Sequence, residues 1–347
     1  MKIALITYHH TYSYGASLQT YATIKALESL GYEVWLVNLH IPQHMLLIRR
    51  ILMAGFWLKQ WRFRQKYFKH VTRRYKDSED LRNNPPMADL YMTGSDQTWN
   101  PGISQQTAPS FFLDFVKDNS KKVTYAASFG FGKIEDSKWM SKEEMIAFLR
   151  QYDRIAIRES SGKEMLSQIG IESTQVLDPV LLFPRYDEFI TKPKQTNEIV
   201  VFRVSKYDAF CNRCKSVGLK VGCPVRCLGS LKKVLGTICP YPNGIEKWVS
   251  SIASAKYVIT DSFHGLVISL LYHKPFVILP GYPERMDRLR SLLQQVGLED
   301  RIMSLEDSTD SIIEKLNSPI DYAKVDAVLS REREESYGYL KSLGKAK

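Results

Sequence analysis

Short apolar runs alternate with stretches of helical spacing along almost the whole chain, and this alternation limits what the chain can fold into. Ile3 to Thr7 is an unbroken apolar run ending in a polar residue. A polar loop, His9 to Ser17, follows. Leu18, Tyr21, Ile24, Leu27 and Leu30 then recur at three-residue spacing, with Gly31 where a C-cap would fall. Val34 to Val37 is the next apolar run. A strand–loop–helix–strand unit of this kind starts an open α/β sheet. Continuous apolar strands, rather than alternating ones, are those buried on both faces, as in parallel sheets. Further strands are predicted at Leu90 to Thr93, Val123 to Ala127, Ile155 to Ile157 and Gln175 to Leu177.

Pro184, Pro193 and several Lys, Thr and Asn residues interrupt the pattern between 184 and 197. It then restarts. Ile199 to Val204, Val225 to Leu228, Tyr257 to Thr260 and Phe276 to Leu279 read as strands. Tyr207 to Val217, Ile245 to Ser254, Gly265 to Tyr272 and Glu284 to Val296 read as helices. The expected fold is α/β, with two Rossmann-like domains facing a cleft. They cover residues 1–188 and 196–320, and a charged amphipathic helix over 321–347 is placed to pack back on the first. A length of 347 residues suits two domains. Ligands of open α/β sheets bind outside the carboxyl ends of the strands, so the residues just past each strand are the ones to search for chemistry.

Charge points to an anionic partner. The chain carries 48 Lys and Arg against 37 Asp and Glu, a formal net charge of +11. Residues 45–76 concentrate it, with ten Lys or Arg, no acid, and bulky apolar residues such as Ile48, Ile51, Trp57 and Trp61. Read as one helix, this insertion suits an anionic membrane surface or a basic face on a packed helix. Nucleic acid ranks below both, because no nucleic-acid motif accompanies the charge. Ile3 to Ile6 is too short for a signal-peptide core, and no apolar run approaches the ~18–20 residues of a spanning helix. The expected location is cytoplasmic, with peripheral contact on the inner face of the membrane.

Five cysteines cluster, at Cys211, Cys214, Cys223, Cys227 and Cys239. Their spacing raises zinc, but Cys211 and Cys214 fall on a predicted helix and Cys227 on a strand, so their thiols diverge.

The segments after the strands carry the candidate chemistry. Thr260-Asp261-Ser262-Phe263-His264-Gly265 follows a strand and opens a helix. Ser262 can cap that helix, Gly265 permits close approach, and His264 can exchange protons near neutral pH. The ordinary alternative is a helix cap with a packed ring. Arg285 and Arg288 lie in the next loop, where an arginine fork suits carboxylate or phosphate. In the first half, Gly94-Ser95-Asp96-Gln97-Thr98-Trp99-Asn100 offers Asp96 as a base and Trp99 as a stacking ring or as a buried anchor. Tyr125-Ala126-Ala127-Ser128-Phe129-Gly130 leaves room for a ligand. Arg158 can hold an anion or pair with Glu159 or another carboxylate. Tyr14-Gly15-Ala16-Ser17 lacks the glycine fingerprint of a dinucleotide site.

These segments, with Asp178-Pro179-Val180-Leu181-Leu182, resemble the polysaccharide pyruvyl transferase family in their order from residue 1 to about 290. The resemblance implies a GT-B-like pair of domains, with the acceptor on the first and the donor on the second. It implies transfer of a pyruvyl group from phosphoenolpyruvate to two hydroxyls of a sugar, making a cyclic ketal. His264 would be the general acid. Arg158, Arg285, Ser262 and Gly265 would hold the donor, and Tyr14, Gly15, Ser95, Trp99 and Ser128 the acceptor, which can be lipid-linked. Phosphoenolpyruvate is then a co-substrate, and neither cofactor nor metal is called for. Some members carry a carboxylate in the first loop; here Gly15-Ala16-Ser17-Leu18 has none, and Asp96 stands in as base. Two other readings compete: a sugar-nucleotide-dependent glycosyltransferase of the same fold, and a non-catalytic protein of polysaccharide assembly.

Overall fold

The computed structural model describes residues 1–42, 47–117, 120–130, 133–190, 194–204, 208–229, 237–238, 242–281 and 286–344. The chain divides into two compact units. One comprises Met1–Ala54, Trp61–Leu182 and Arg331–Lys347; the other comprises Gly55–Gln60 and Phe183–Ser330. The changeover falls at Leu182 and Phe183, just ahead of the proline-rich stretch that marked it in the sequence.

The first unit is built on parallel strands: β1 (Lys2–Ile6), β2 (Glu33–Leu39), β3 (Val71–Tyr75), β4 (Leu90–Thr93), β5 (Lys121–Thr124), β6 (Ala156–Ile157) and β7 (Thr174–Gln175). Five of them pair in the order β3-β2-β1-β4-β5. Parallel bridges Val123–Arg154 and Ala127–Ile157 carry the ladder on to β6, which pairs with β7. The order reverses between β1 and β4, which makes that point the expected ligand crevice of the unit. Ile3 to Ile6 and Leu90 to Thr93 are buried throughout, as strands covered on both faces must be. The first helix, α1 (Tyr14–Ser29), starts earlier than its apolar spacing indicated. Ser13 caps it by accepting from the Ala16 N–H.

The basic insertion is not one helix. Its described part forms α2 (Leu47–Leu52), α3 (Ala54–Tyr67) and β3, the outermost strand. Val71, Arg73 and Arg74 of β3 are exposed, as an edge strand allows. Gly55–Gln60 of α3 counts with the second unit, where Lys59 Nζ donates to the Pro242 carbonyl at 3.1 Å.

The terminal helix, Tyr322–Ser342, is shared between the units rather than forming a third body. Within the first unit Tyr339 Oη donates to the Thr124 carbonyl at 2.8 Å, Ser336 Oγ accepts from the Leu177 N–H at 3.0 Å, and Arg333 Nε donates to the Leu181 carbonyl at 2.6 Å. Within the second, Tyr322 Oη donates to the Lys274 carbonyl at 2.6 Å.

Among its described residues the second unit has four parallel strands, β8 (Ile199–Phe202), β9 (Val225–Leu228), β10 (Tyr257–Thr260) and β11 (Phe276–Ile278), in the order β11-β10-β8-β9. Its order reverses between β8 and β10. Among the described residues no helix is long and apolar enough to cross a membrane.

Candidate active site

The motif segments of the first unit gather at the carboxyl ends of β1 and β4–β7, and one buried chain of hydrogen bonds runs through them. Gln19 Nε2, on α1, donates to Thr7 Oγ1 at 2.9 Å. Thr7 Oγ1 donates to the Ser95 carbonyl at 2.8 Å. Ser95 Oγ donates to Asp178 Oδ2 at 3.1 Å, and the same oxygen accepts from Arg158 Nη1 at 2.7 Å. The chain crosses the switch point, tying the loop after β1 to the loop after β4. Gly94 is needed at that crossing, because a Cβ there would sit 3.0 Å from Thr7 Cβ and from a Leu5 methyl.

Arg158 is buried among three carboxylates. Besides Asp178, Glu159 Oε2 lies 3.9 Å from its Nε and Asp96 Oδ1 lies 4.0 Å from its Nη2. Burial pushes the guanidinium down, and Asp178, Glu159 and Asp96 more than offset this, so it is held above its ordinary value. Arg158 is thus paired with carboxylates of its own unit, the second of the two readings open in the sequence. A buried cation requires counter-charges, and Asp178, Glu159 and Asp96 are placed to supply them. Asp96 is the carboxylate nearest solvent, its side chain 16% exposed against 2% for Glu159 and 0% for Asp178. Asp96 has a φ of 78°, in the left-handed region that Asp tolerates better than most residues. Its Oδ1 accepts from the Gln97 N–H at 2.9 Å.

Trp99 is a correction. It is fully buried and packs on Phe112 at 5.8 Å and Phe129 at 5.1 Å between ring centroids. It anchors the loop in the core and has no ring face for a sugar. Ser95 and Ser128 are also buried, and Ser128 Oγ accepts from the Gly130 N–H at 3.1 Å. Tyr14 and Gly15 are the first two residues of α1, and both are buried.

On the other side of the switch point lies a group the sequence reading left as polar loop. His9 is 3% exposed, and its Nδ1 donates to the Thr7 carbonyl at 3.0 Å. His10 lies beside it, the two rings tilted by 54° with their centroids 4.4 Å apart. Arg64, buried on α3, donates to the His9 carbonyl at 3.2 Å. Burial is the first cause of low proton affinity in both rings, His9 falling to about 4 and His10 to about 2; Arg64 lowers both further. Asn38, on β2, favours a proton on each.

In the second unit, Thr260 to Gly265 lies at the switch point between β8 and β10. Ser262 caps the Phe263–Leu271 helix, its Oγ accepting from the Gly265 N–H at 3.4 Å. Asp261 Oδ1 accepts from the Val204 N–H at 2.6 Å, tying the end of β10 to the segment after β8. His264 is buried at the second position of the helix, its ring 5.4 Å from that of Phe263 and nearly perpendicular to it. At Gly265 an added Cβ would lie 2.4 Å from Thr260 Oγ1. The glycine thus makes room for its own strand rather than for an incoming ligand. Arg285 lies outside the described residues. Arg203, directly after β8, is a half-buried cation next to this segment that no motif had flagged.

Cys211, Cys214, Cys223 and Cys227 are buried in the apolar core of the second unit, and Cys239 lies outside the described residues. Burial pushes the Cys214 thiol well up. No group of three or more His, Cys, Asp or Glu is placed to hold a metal among the described residues. An open pocket of about 570 Å³, lined by Arg154, Lys163 and Tyr339 among others, lies at the amino ends of β6 and β7, opposite the motif loops.

Solved structures share the fold. The UDP-GlcNAc 2-epimerase of Methanocaldococcus jannaschii aligns with a TM-score of 0.56 at 11% identity, covering 92% of this chain and 93% of its own. That of Neisseria meningitidis, bound to UDP-GlcNAc, gives 0.55 at 11% over 99% and 98%. AviGT4, a glycosyltransferase involved in avilamycin A biosynthesis, gives 0.55 at 11% over 99% and 98%. At such identities the likeness concerns the fold alone. No protein of curated function matches the sequence. The profile of the polysaccharide pyruvyl transferases matches residues 14–281, from the first residue of α1 to the loop after β11. The chain belongs to the polysaccharide pyruvyl transferase family.

Proposed function

We propose that the protein transfers a pyruvyl group from phosphoenolpyruvate to two hydroxyls of one sugar, forming a cyclic ketal. Family membership over residues 14–281 is the observation that carries this reading. His264 gives its proton to the donor's methylene carbon, which becomes a methyl group. Carbon 2 is then attacked by a first sugar hydroxyl, phosphate leaves with the proton that this hydroxyl gave up, and the second hydroxyl closes the ring as its proton returns to His264. Ser262 and Arg285 are the donor ligands of this scheme. Asp96 takes the proton of the attacking hydroxyl. Asp96 is the most exposed carboxylate of its cluster, which fits an acceptor side in the first unit. Arg158 acts as a positioning residue, holding Asp178, Glu159 and Asp96 in place.

Incubation with phosphoenolpyruvate and a panel of sugars tests the scheme. The expected result is phosphate release that needs both substrates, with a pyruvyl ketal on the sugar by mass spectrometry. His264→Gln should lower the rate by about 10²–10⁴-fold. Turnover of a sugar nucleotide instead would establish the glycosyltransferase reading. Full activity in His264→Gln would remove the acid assigned here.

Membrane contact through α2 belongs to the same reading, since a lipid-linked acceptor lies at a membrane. Leu47, Ile48, Ile51 and Leu52 are exposed together, with Leu47 at 72%, and Arg50 is exposed beside them. Apolar residues flanked by cations suit an anionic surface. Vesicles containing anionic lipid should pellet the wild type, and Ile48→Glu with Ile51→Glu should stay in the supernatant. Equal pelleting of the two rules this contact out.

A further inference from the structure

We propose that the first unit carries an anion site for a phosphate or diphosphate group at the carboxyl ends of β1, β2 and β3, built by His9, His10, Arg64 and Arg74. This site is separate from the donor ligands above and does not depend on the pyruvyl chemistry.

Four elements bring the residues together. His9 and His10 follow β1, Asn38 is the last but one residue of β2, Arg64 lies on α3 and Arg74 lies near the end of β3. Arg64 and Arg74 act on His10, and Arg64 acts on His9, all as like charges. Arg74 Nη2 donates to His40 Nδ1 at 2.8 Å, so His40 takes no proton on that nitrogen. The group therefore runs from a buried end, His9 and Arg64, to an exposed end, Arg74 and His40.

His9 supplies the observation that points to a ligand. Its Nδ1–H is committed to the Thr7 carbonyl, so the ring faces its surroundings through Nε2. That nitrogen is buried and makes no hydrogen bond of good geometry, the Asn38 side chain beside the ring being its polar neighbour. A buried polar atom left so costs free energy that a ligand recovers. A phosphate oxygen meets the need, because it stabilises a proton on Nε2 and accepts from it while Arg64 and Arg74 supply fixed charge. The groups facing the two rings are His9 and His10 themselves, Asn38 on β2, Arg64 on α3 and Arg74 on β3, and each cation among them discourages protonation until an anion arrives. Anion binding is then coupled to proton uptake and tightens as pH falls below neutral.

Isothermal titration with inorganic diphosphate, in two buffers of different ionisation enthalpy, tests the site on the full chain. Wild type should bind with net proton uptake. Arg64→Gln should weaken binding roughly 10- to 100-fold, the loss of a charged hydrogen bond. Arg74→Gln, an exposed change that leaves the core intact, should weaken it by a smaller factor, and His9→Gln should abolish the proton uptake. No binding to wild type, or equal binding to wild type and both arginine variants, overturns the proposal. Phosphoenolpyruvate and a sugar 1-phosphate, titrated in parallel, identify the source of the phosphate. If Arg64→Gln weakens only the sugar phosphate, the acceptor brings it; if it weakens phosphoenolpyruvate, the donor does. His264→Gln separates this site from the pyruvyl reading, because it should retain diphosphate binding whatever its activity.

Discussion

On the β4–β7 side of the first unit's switch point, Arg158 is buried among Asp178, Glu159 and Asp96. On the β1–β3 side, Arg64 is buried beside His9 and His10. Both sides take a guanidinium out of water. The first surrounds it with carboxylates from three separate loops. The second sets it beside two imidazoles held neutral by burial and by the cation itself. On the first side the guanidinium is paired, and the second is the side proposed above to take an anion. The same residue type, arginine, thus has different work on the two sides, and residue type alone could not have shown which.

The largest effect expected from breaking this contrast is on the acidic side. Asp178→Asn removes the closest counter-charge of Arg158 and should cost about 3–5 kcal/mol, read as a lower urea midpoint. A cost under about 1 kcal/mol would mean that Glu159 and Asp96 hold Arg158 unaided.

The basic side should show itself through pH. The His9 ring has a value of about 4 in the folded chain, against an ordinary 6.5. Below 6.5 the unfolded chain takes up a proton that the folded chain does not. The contribution of His9 is thus complete above pH 6.5 and is lost as pH falls toward 4, in total on the order of 3 kcal/mol. His10 acts in the same direction, screened by its partial exposure. Stability measured from pH 7 to 4 should fall more steeply for wild type than for His9→Gln. Parallel curves would show that His9 does not remain neutral when buried.

The smallest effect concerns the link between the sides. Gln19→Leu removes the donor to Thr7 Oγ1 and should cost about 1–2 kcal/mol. If the two sides are coupled through Thr7, it should also shift the proton uptake that accompanies diphosphate binding. An unchanged uptake would make them independent.

Most strands were legible because each is its own evidence. Ile3 to Ile6, Leu90 to Thr93 and Tyr257 to Thr260 are apolar runs bounded by polar loops, and burial on both faces demands that composition. β3 escaped because Val71-Thr72-Arg73-Arg74-Tyr75 is an exposed edge strand inside a basic run, where burial demands little. The motif loops could be placed at strand ends, but not their internal bonding. Asp178 stood inside a recognised segment without a role, and His9 and Arg64 stood outside all of them. Trp99 and Gly265 were read by what their types allow, while their neighbours in space, Phe112 and Phe129 for one and Thr260 for the other, gave the opposite answer.

Secondary structure, the two-unit α/β plan and family membership reside in short-range pattern, because helix caps, turn residues and apolar period act over a few positions. Charge pairing does not. Ser95 and Asp178 are 83 positions apart, and Arg64 reaches His9 across 55. Such contacts depend on strand order, and nothing local in the sequence records that β4 lies beside β1. Folding the sheet in that order decided which arginine is paired with carboxylates, which histidine is buried with one nitrogen unsatisfied, and which aspartate of the cluster stays partly exposed.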